Sequence, residues 1–402
     1  MPLNGLMAGC FHSQARFMRV QTKFRKTSLP SVCLAFHAAE EFKMDFQATE
    51  EQRMIANTVE EALKELCKPE MLREQIARKN IFNAERWQAL NELSLPTALL
   101  SESAGGVGLD EVAFCAIARA AGAALLPEPL IDSAGVALPL LAEIRNSLED
   151  KAFLPPSFDT SLTALAEGFE HAVLVHPLRP FVPHADTACQ IIFAEDNVLW
   201  VGAPNNFILK EHETIDPLTT LFSVTPHSAT RLPLFEEGLT ALAKAIDRAT
   251  LFTAAQLAGI ASAAQRLAVD YAIERQQFGR PIGTNQAIKH LLAEVEIEVA
   301  FLSPLINAAA AMLHRQNALS RGHLANARLR AARVADMACQ RSLQAHGAMG
   351  YAWEADLHLF LKRATVLATQ WGDEKRLFDL AAKRVFNEGE MPGPGTLFET
   401  AV

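Results

Sequence analysis

Between Glu236 and Glu390 only two prolines, Pro281 and Pro304, interrupt a sequence dominated by Ala, Leu, Arg, Gln and Glu. These are strong helix formers, and a run this long can hide its apolar faces only by packing helix on helix. Gly279, Pro281 and Gly283 mark one sharp turn. The segment reads as four long helices, roughly 238–276, 285–316, 319–346 and 355–387, in an antiparallel bundle. "EVEIEV" (Glu294 to Val299) alternates like a strand, but the Ala-rich pattern around it is far longer than a strand and overrules it. Pro304 is expected to kink or break its helix.

The rest of the chain has two other textures. From Asp45 to about Leu154 the signals are helical. Thr49 is a candidate N-cap followed by Glu50 and Glu51, and Ile55, Val59, Leu63 and Leu66 share one helical face. Gly105, Gly106 and Gly108 precede a second helical stretch, "DEVAFCAIARAAGAALL", which Pro127 and Pro129 end. Between Lys151 and Phe235 short apolar runs such as "HAVLVHP", "QIIFAED" and "NVLWVGA" alternate with turn residues, a β pattern. Parallel pairing would need crossover helices, and none is visible, so the strands are expected to be antiparallel. The fold class is therefore mostly α with a β insert. The expected domains are 44–154 (N-terminal helical), 155–235 (small antiparallel β) and 236–390 (C-terminal four-helix bundle), with a tail at 391–402.

Composition narrows the function classes. At 402 residues the chain can bury a core without disulfides or metals. Its net charge of -9 argues against a nucleic-acid partner. The longest uncharged run, Ala249 to Gln265, is too short and too polar for a membrane span. The six cysteines form no CxxC pair and read as reduced thiols of a cytoplasmic protein. No HExxH, Walker loop, GxSxG or GxGxxG occurs, so a metal centre and those nucleotide and nucleophile motifs are not expected. Residues 1–43 hold several Arg and Lys and few acids; they read as an upstream start or leader ahead of Met44, the alternative being a transit peptide.

Two segments are far more specific: "YAIERQQFGRPIGTNQAIKH" (Tyr271 to His290) and "QAHGAMGYAWEADLHLFLKRA" (Gln344 to Ala364). With "GGVGLD…LLPEP" and the α–β–α order, they make the chain resemble the acyl-CoA dehydrogenase family over about Met44 to Glu390. The resemblance implies FAD bound at a subunit interface and an acyl-CoA thioester as substrate. A carboxylate would remove the α-proton while the β-hydride passes to the flavin, and electron-transfer flavoprotein would be the acceptor. It also implies that Arg275 and Phe278 reach the FAD of a neighbouring subunit, a guanidinium being suited to a pyrophosphate. Gln286 would face the cofactor as well. Gln344, Gly347 and Gly350 match a Q-x-x-G-G-x-G segment, with Ala348 in place of the second Gly. The alternatives are a solvated helix-end charge for Arg275, core for Phe278, an interhelical bond for Gln286 and an ordinary αL helix end for the glycines. His346 and Trp353 read as packing residues.

The departures from the family pattern carry as much weight. Trp371 stands where the family's catalytic glutamate is expected, with Gly372 preserved, and Asp373 is displaced by two residues. The alternative base position on the first bundle helix falls at Ala249, with Asp247 offset to another face. Gln256 is uncharged. The family's "TEP…GSD" segment is unrecognisable, "TALAEGFEHA" standing in its place. The catalytic base is thus unassigned. These departures are similar to those of bacterial acyl-CoA dehydrogenases of steroid side-chain degradation, which work as heterotetramers. The reading favoured is a base-lacking subunit paired with a related acyl-CoA dehydrogenase chain. The alternatives are a homotetramer with an atypical base, or a scaffold that kept the fold without the chemistry.

Overall fold

A computed structural model describes residues 49–386, apart from 80, 148–153, 155–157 and 316–317. The expected leader (1–43) and tail (391–402) lie outside the described residues. Helix α1 (Glu50–Leu66) starts where the sequence says it should. The Thr49 hydroxyl accepts from the Gln52 amide and the Gln52 side chain accepts from the Thr49 amide, both at 3.1 Å, a complete capping box. Helices α2 (Pro69–Arg78), α3 (Ala84–Glu92) and α4 (Glu111–Ala123) follow, α4 being capped by Asp110. A short π turn (Ser133–Ala137) leads into α5 (Leu138–Ser147), and α6 (Phe158–Ala166) precedes the first strand.

The β region forms two sheets. One runs β1 (Ala172–Val175), β3 (Gln190–Glu195), β4 (Val198–Gly202), β7 (Thr230–Pro233); the other runs β2 (Phe181–Val182), β6 (Phe222–Pro226), β5 (Phe207–Glu211). Val173, Val175, Ile191, Phe207 and Val224 pack between them. The antiparallel expectation fails at one pair: β1 and β3 are parallel, Ala172 opposite Gln190. The crossover needs no helix here, because the chain makes it by adding β2 to the second sheet.

The C-terminal part is helical as expected. Its long helices are α7 (Glu236–Glu274), α8 (Gln286–Met312) and α9 (Ala318–His346). "EVEIEV" is helical, and Pro304 lies inside α8 without ending it. Buried Leu302 and Ile306 on either side hold the helix through the lost hydrogen bond. By length and composition α8 could cross a bilayer, yet it presents Leu292, Val295 and Val299 to the bundle core. The fourth expected helix is two, α10 (Leu357–Ala368) and α11 (Glu374–Phe386). Between them Trp371 (φ +61°) and Gly372 (φ +119°) leave helical space, and the Trp371 amide donates to the Leu178 carbonyl instead of to its own helix (3.1 Å).

Candidate functional site

The first conspicuous motif folds into a projecting hairpin. Helix α7 stops because Arg275 turns extended (φ −69°, ψ 120°). Strands β8 (Gln276–Gln277) and β9 (Arg280–Pro281) then pair across a two-residue turn. Phe278 (φ +54°) and Gly279 (φ +77°) occupy that turn, both left-handed, as a type I′ hairpin requires. Gly279 suits the position. Phe278 does not, at a strain of roughly 1–2 kcal/mol. Its ring is 100% exposed, so it is not core.

The second motif lies beside the first. Helix α9 ends at His346, with Gly347 in αL (φ +59°). The His346 ring stacks on Tyr271 of α7 at 4.1 Å and 16°, and its Nδ1 is 2.9 Å from the Ser342 carbonyl. Burial lowers its pKa. Ala268, Ala272, Leu292 and Ala345 pack together in the same region. Arg275, Phe278, Gln286, Gln344, Gly347 and Ala348 are all exposed. No side chain caps the N-terminus of α8 at Asn285 and no acid sits in its first turn, a setting that suits an anion. Gly350 differs. It is buried, and an added Cβ would sit 3.1 Å from the Leu343 carbonyl oxygen, so its smallness serves the chain's own packing. Gly347 has open space around it and is needed for its φ alone. Trp353 stacks on His358 at 4.7 Å and is half exposed.

The position at which the sequence leads one to expect the family's base is filled. Trp371 is 2% exposed and belongs to the core shared by α5, α6 and the first sheet. The Arg179 Cζ stands 5.3 Å from its ring centre, and His176 stacks on its other neighbourhood at 6.4 Å. Burial pushes the His176 pKa down to about 4. The nearby cavity, lined by Gln256, Arg179 and Gln370 among others, measures only about 50 Å³. Each carboxylate on its wall is bound by an arginine. Asp132 accepts from Arg179 at 2.7 Å, Glu128 accepts from Arg86 at 3.0 Å, and Asp216 accepts from Arg363. Arg363 also donates to the carbonyls of Leu126 (3.0 Å) and Leu218 (3.1 Å). Fully buried Arg328 donates to the Leu367 and Gln370 carbonyls at 2.6 and 3.2 Å, securing the segment that leads into Trp371.

The remaining base candidates face elsewhere. Asp373 accepts from the Arg376 amide (2.8 Å) at the start of α11 and is exposed. Asp247 points at Arg321 of α9 (3.6 Å), and Ala249 is core. "TALAEGFEHA" is spent on internal contacts: the Gly168 carbonyl accepts from the Trp87 indole (3.0 Å) and the Glu167 carbonyl from Asn91 (3.1 Å). Sequence reasoning missed the arginines 179, 328 and 363. Arg363 could have been noticed as a lone cation on the apolar face Leu359, Phe360, Ala364, Leu367.

A C-terminal helical bundle with an exposed hairpin, a glycine-ended helix beside it and a β insert defines a class, and sequence comparison agrees. Family models described as the N-terminal and C-terminal domains of acyl-CoA dehydrogenase match residues 49–156 and 236–386. The acyl-CoA dehydrogenase IpdE2 of Mycobacterium tuberculosis is 30% identical over 319 residues, covering 78% of this chain and 91% of that protein. IpdE2 of Mycolicibacterium smegmatis is 31% identical, covering 79% and 93%. Among solved structures, the ChsE4-ChsE5 complex of Mycobacterium tuberculosis superposes with a TM-score of 0.72 at 19% identity, covering 86% of this chain and 100% of that one. The chain belongs to the acyl-CoA dehydrogenase family, whose members are FAD-dependent. The exposed face fits the dinucleotide part of FAD. The cavity beside Trp371, at about 50 Å³, is below the few hundred Å³ of an ordinary ligand site.

Proposed function

We propose that this chain is the base-lacking subunit of a heteromeric acyl-CoA dehydrogenase. It lends Arg275, Phe278, Gln286 and the Gln344–Gly350 segment to an FAD site whose proton-abstracting carboxylate lies on a related partner chain. The observation that carries this reading is the contrast between a buried Trp371 at the base position and a wholly exposed Phe278 on the dinucleotide face. FAD supplies the hydride acceptor when bound. Arg275 offers a bidentate donor to a pyrophosphate, and Phe278 supplies an apolar surface. Gln286 and Gln344 supply amide donors and acceptors. The substrate class is an acyl-CoA, converted to the 2,3-enoyl-CoA, in steroid or related lipid catabolism; two solved neighbours are the ChsE4-ChsE5 complex and the Tcur3481-Tcur3483 steroid acyl-CoA dehydrogenase. Electron-transfer flavoprotein is the acceptor and the cytoplasm the compartment. Loss of a general base costs on the order of 10²- to 10⁴-fold in rate, so this chain needs its partner to turn over.

The test is to purify the chain alone, then co-express it with related dehydrogenase subunits and assay acyl-CoA-dependent dye reduction. The reading expects turnover only in the complex. Turnover by the isolated chain would favour the homotetramer, and rescue by no partner would favour the scaffold.

A further inference from the structure

A groove runs along the outer side of the α4–α7 pair, away from the hairpin and from Trp371. The two helices meet backbone on backbone: a Cβ on Gly122 would lie 2.1 Å from the Gln256 carbonyl oxygen, and one on Gly259 would lie 1.9 Å from the Arg119 carbonyl oxygen. Between these helices the floor is made of small side chains, Ala116, Ala255 and Ala258, and residues of α1 and α8 flank the strip without filling it. The resulting cavity measures about 510 Å³, within the range of small-molecule sites.

Its charge runs against that of the chain. With a net charge of -9 overall, the chain places Arg53, Arg119 and Arg266 on this groove against one carboxylate, Glu60. Arg266 already holds Glu60, at 3.2 Å. Arg119 has hydroxyl partners in place of an acid. It donates to Ser303 of α8 at 2.8 Å and to Ser262 of α7 at 3.1 Å. The alanine walls lower its pKa by stripping water, against the pull of Glu60 and Glu296, but its side chain still reaches the groove mouth. A cation held open by two serines above an alanine floor is matched by an anionic head on an apolar body. Beyond the Glu60–Arg266 bridge the groove adjoins an apolar cavity of about 330 Å³ lined by Leu63, Leu72 and Phe360, room for the length of a hydrocarbon.

We infer that this groove binds an apolar monocarboxylic acid, with its carboxylate on Arg119 between Ser262 and Ser303 and its hydrocarbon along the alanine floor. Occupancy of the groove is independent of the flavin reading, since none of the dinucleotide-face residues lines it. Titration calorimetry of the full-length chain with dodecanoate, dodecanol and inorganic phosphate tests it. Dodecanoate should bind, dodecanol at least tenfold more weakly, and phosphate not measurably. Arg119→Gln should weaken dodecanoate at least tenfold, and Ala116→Phe, which fills the floor, should abolish binding with an unchanged circular-dichroism spectrum. If Arg119→Gln fails to fold, Ser303→Ala gives the same comparison, with a severalfold loss expected. Equal binding of dodecanol, binding of phosphate alone, no dodecanoate binding, or dodecanoate binding indifferent to these variants overturns the assignment.

Discussion

The Arg179 guanidinium holds Asp132 at 2.7 Å through one nitrogen and lies 5.3 Å from the centre of the Trp371 ring, leaving its Nε and Nη1 without partners. A cation and an indole thus occupy the place where the resemblance leads one to expect a carboxylate. That arrangement decides what restoring the carboxylate would do. Trp371→Glu should not create a working enzyme from the isolated chain. The new carboxylate would meet the idle donors of Arg179, which hold it ionised below the usual carboxylate range and engage its lone pairs. Acyl-CoA-dependent dye reduction should stay at background. Trp371→Ala should cost about 3–5 kcal/mol in urea unfolding, the usual loss for a buried tryptophan.

Phe278 calls for the opposite pattern. Its ring makes no buried contact, and its φ of +54° suits glycine. Phe278→Gly should raise stability by up to about 1–2 kcal/mol, read as a higher thermal midpoint. In the assembled complex the same variant should lose flavin, measured as absorbance per mole of chain.

Gly122 and Gly259 should be intolerant of a single methyl. Gly122→Ala or Gly259→Ala drives Cβ into a backbone oxygen, so α4 and α7 must separate. Overpacking of this kind costs roughly 1–3 kcal/mol, and urea midpoints should fall accordingly.

Acid should loosen the junction between the N-terminal helices and the sheets. His171 stacks on Phe82 at 5.1 Å, and His184 Nε2 lies 2.9 Å from the Pro127 carbonyl. Burial lowers the His171 pKa from 6.5 to about 4 and that of His184 to about 3. Both are neutral in the folded chain, while the unfolded chain takes up protons below pH 6.5. Their stabilisation is therefore complete above pH 6.5 and is lost as pH falls from there through 4. For His171 the loss is on the order of 3 kcal/mol. Urea midpoints between pH 7 and 4 should show it, and His171→Asn should flatten the slope.

Much of this was legible in the residues. Runs of helix formers place α7, α8 and α9, with Pro304 absorbed inside α8, and Thr49 with Gln52 fixes the start of α1. The two long motifs hold most residues of the exposed face, and Trp371 stands in the sequence where the resemblance leads one to expect a glutamate. Other features are set by tertiary contacts that no local pattern carries. The break after Ala368 depends on Leu178 accepting the Trp371 amide, 193 residues away in the sequence. The parallel β1–β3 pair depends on β2 leaving for the second sheet. Gly350 reads in sequence as part of the cofactor segment, and its close approach to the Leu343 carbonyl shows only in the fold.

The most direct measurement is flavin content against chain composition. The chain should be purified alone and with a base-carrying partner, then examined by native mass spectrometry and visible absorbance. The account predicts a colourless isolated chain, a yellow complex holding one FAD for each pair of unlike chains, and loss of that colour with Arg275→Ala. An isolated chain that carries stoichiometric FAD and oxidises an acyl-CoA would contradict it.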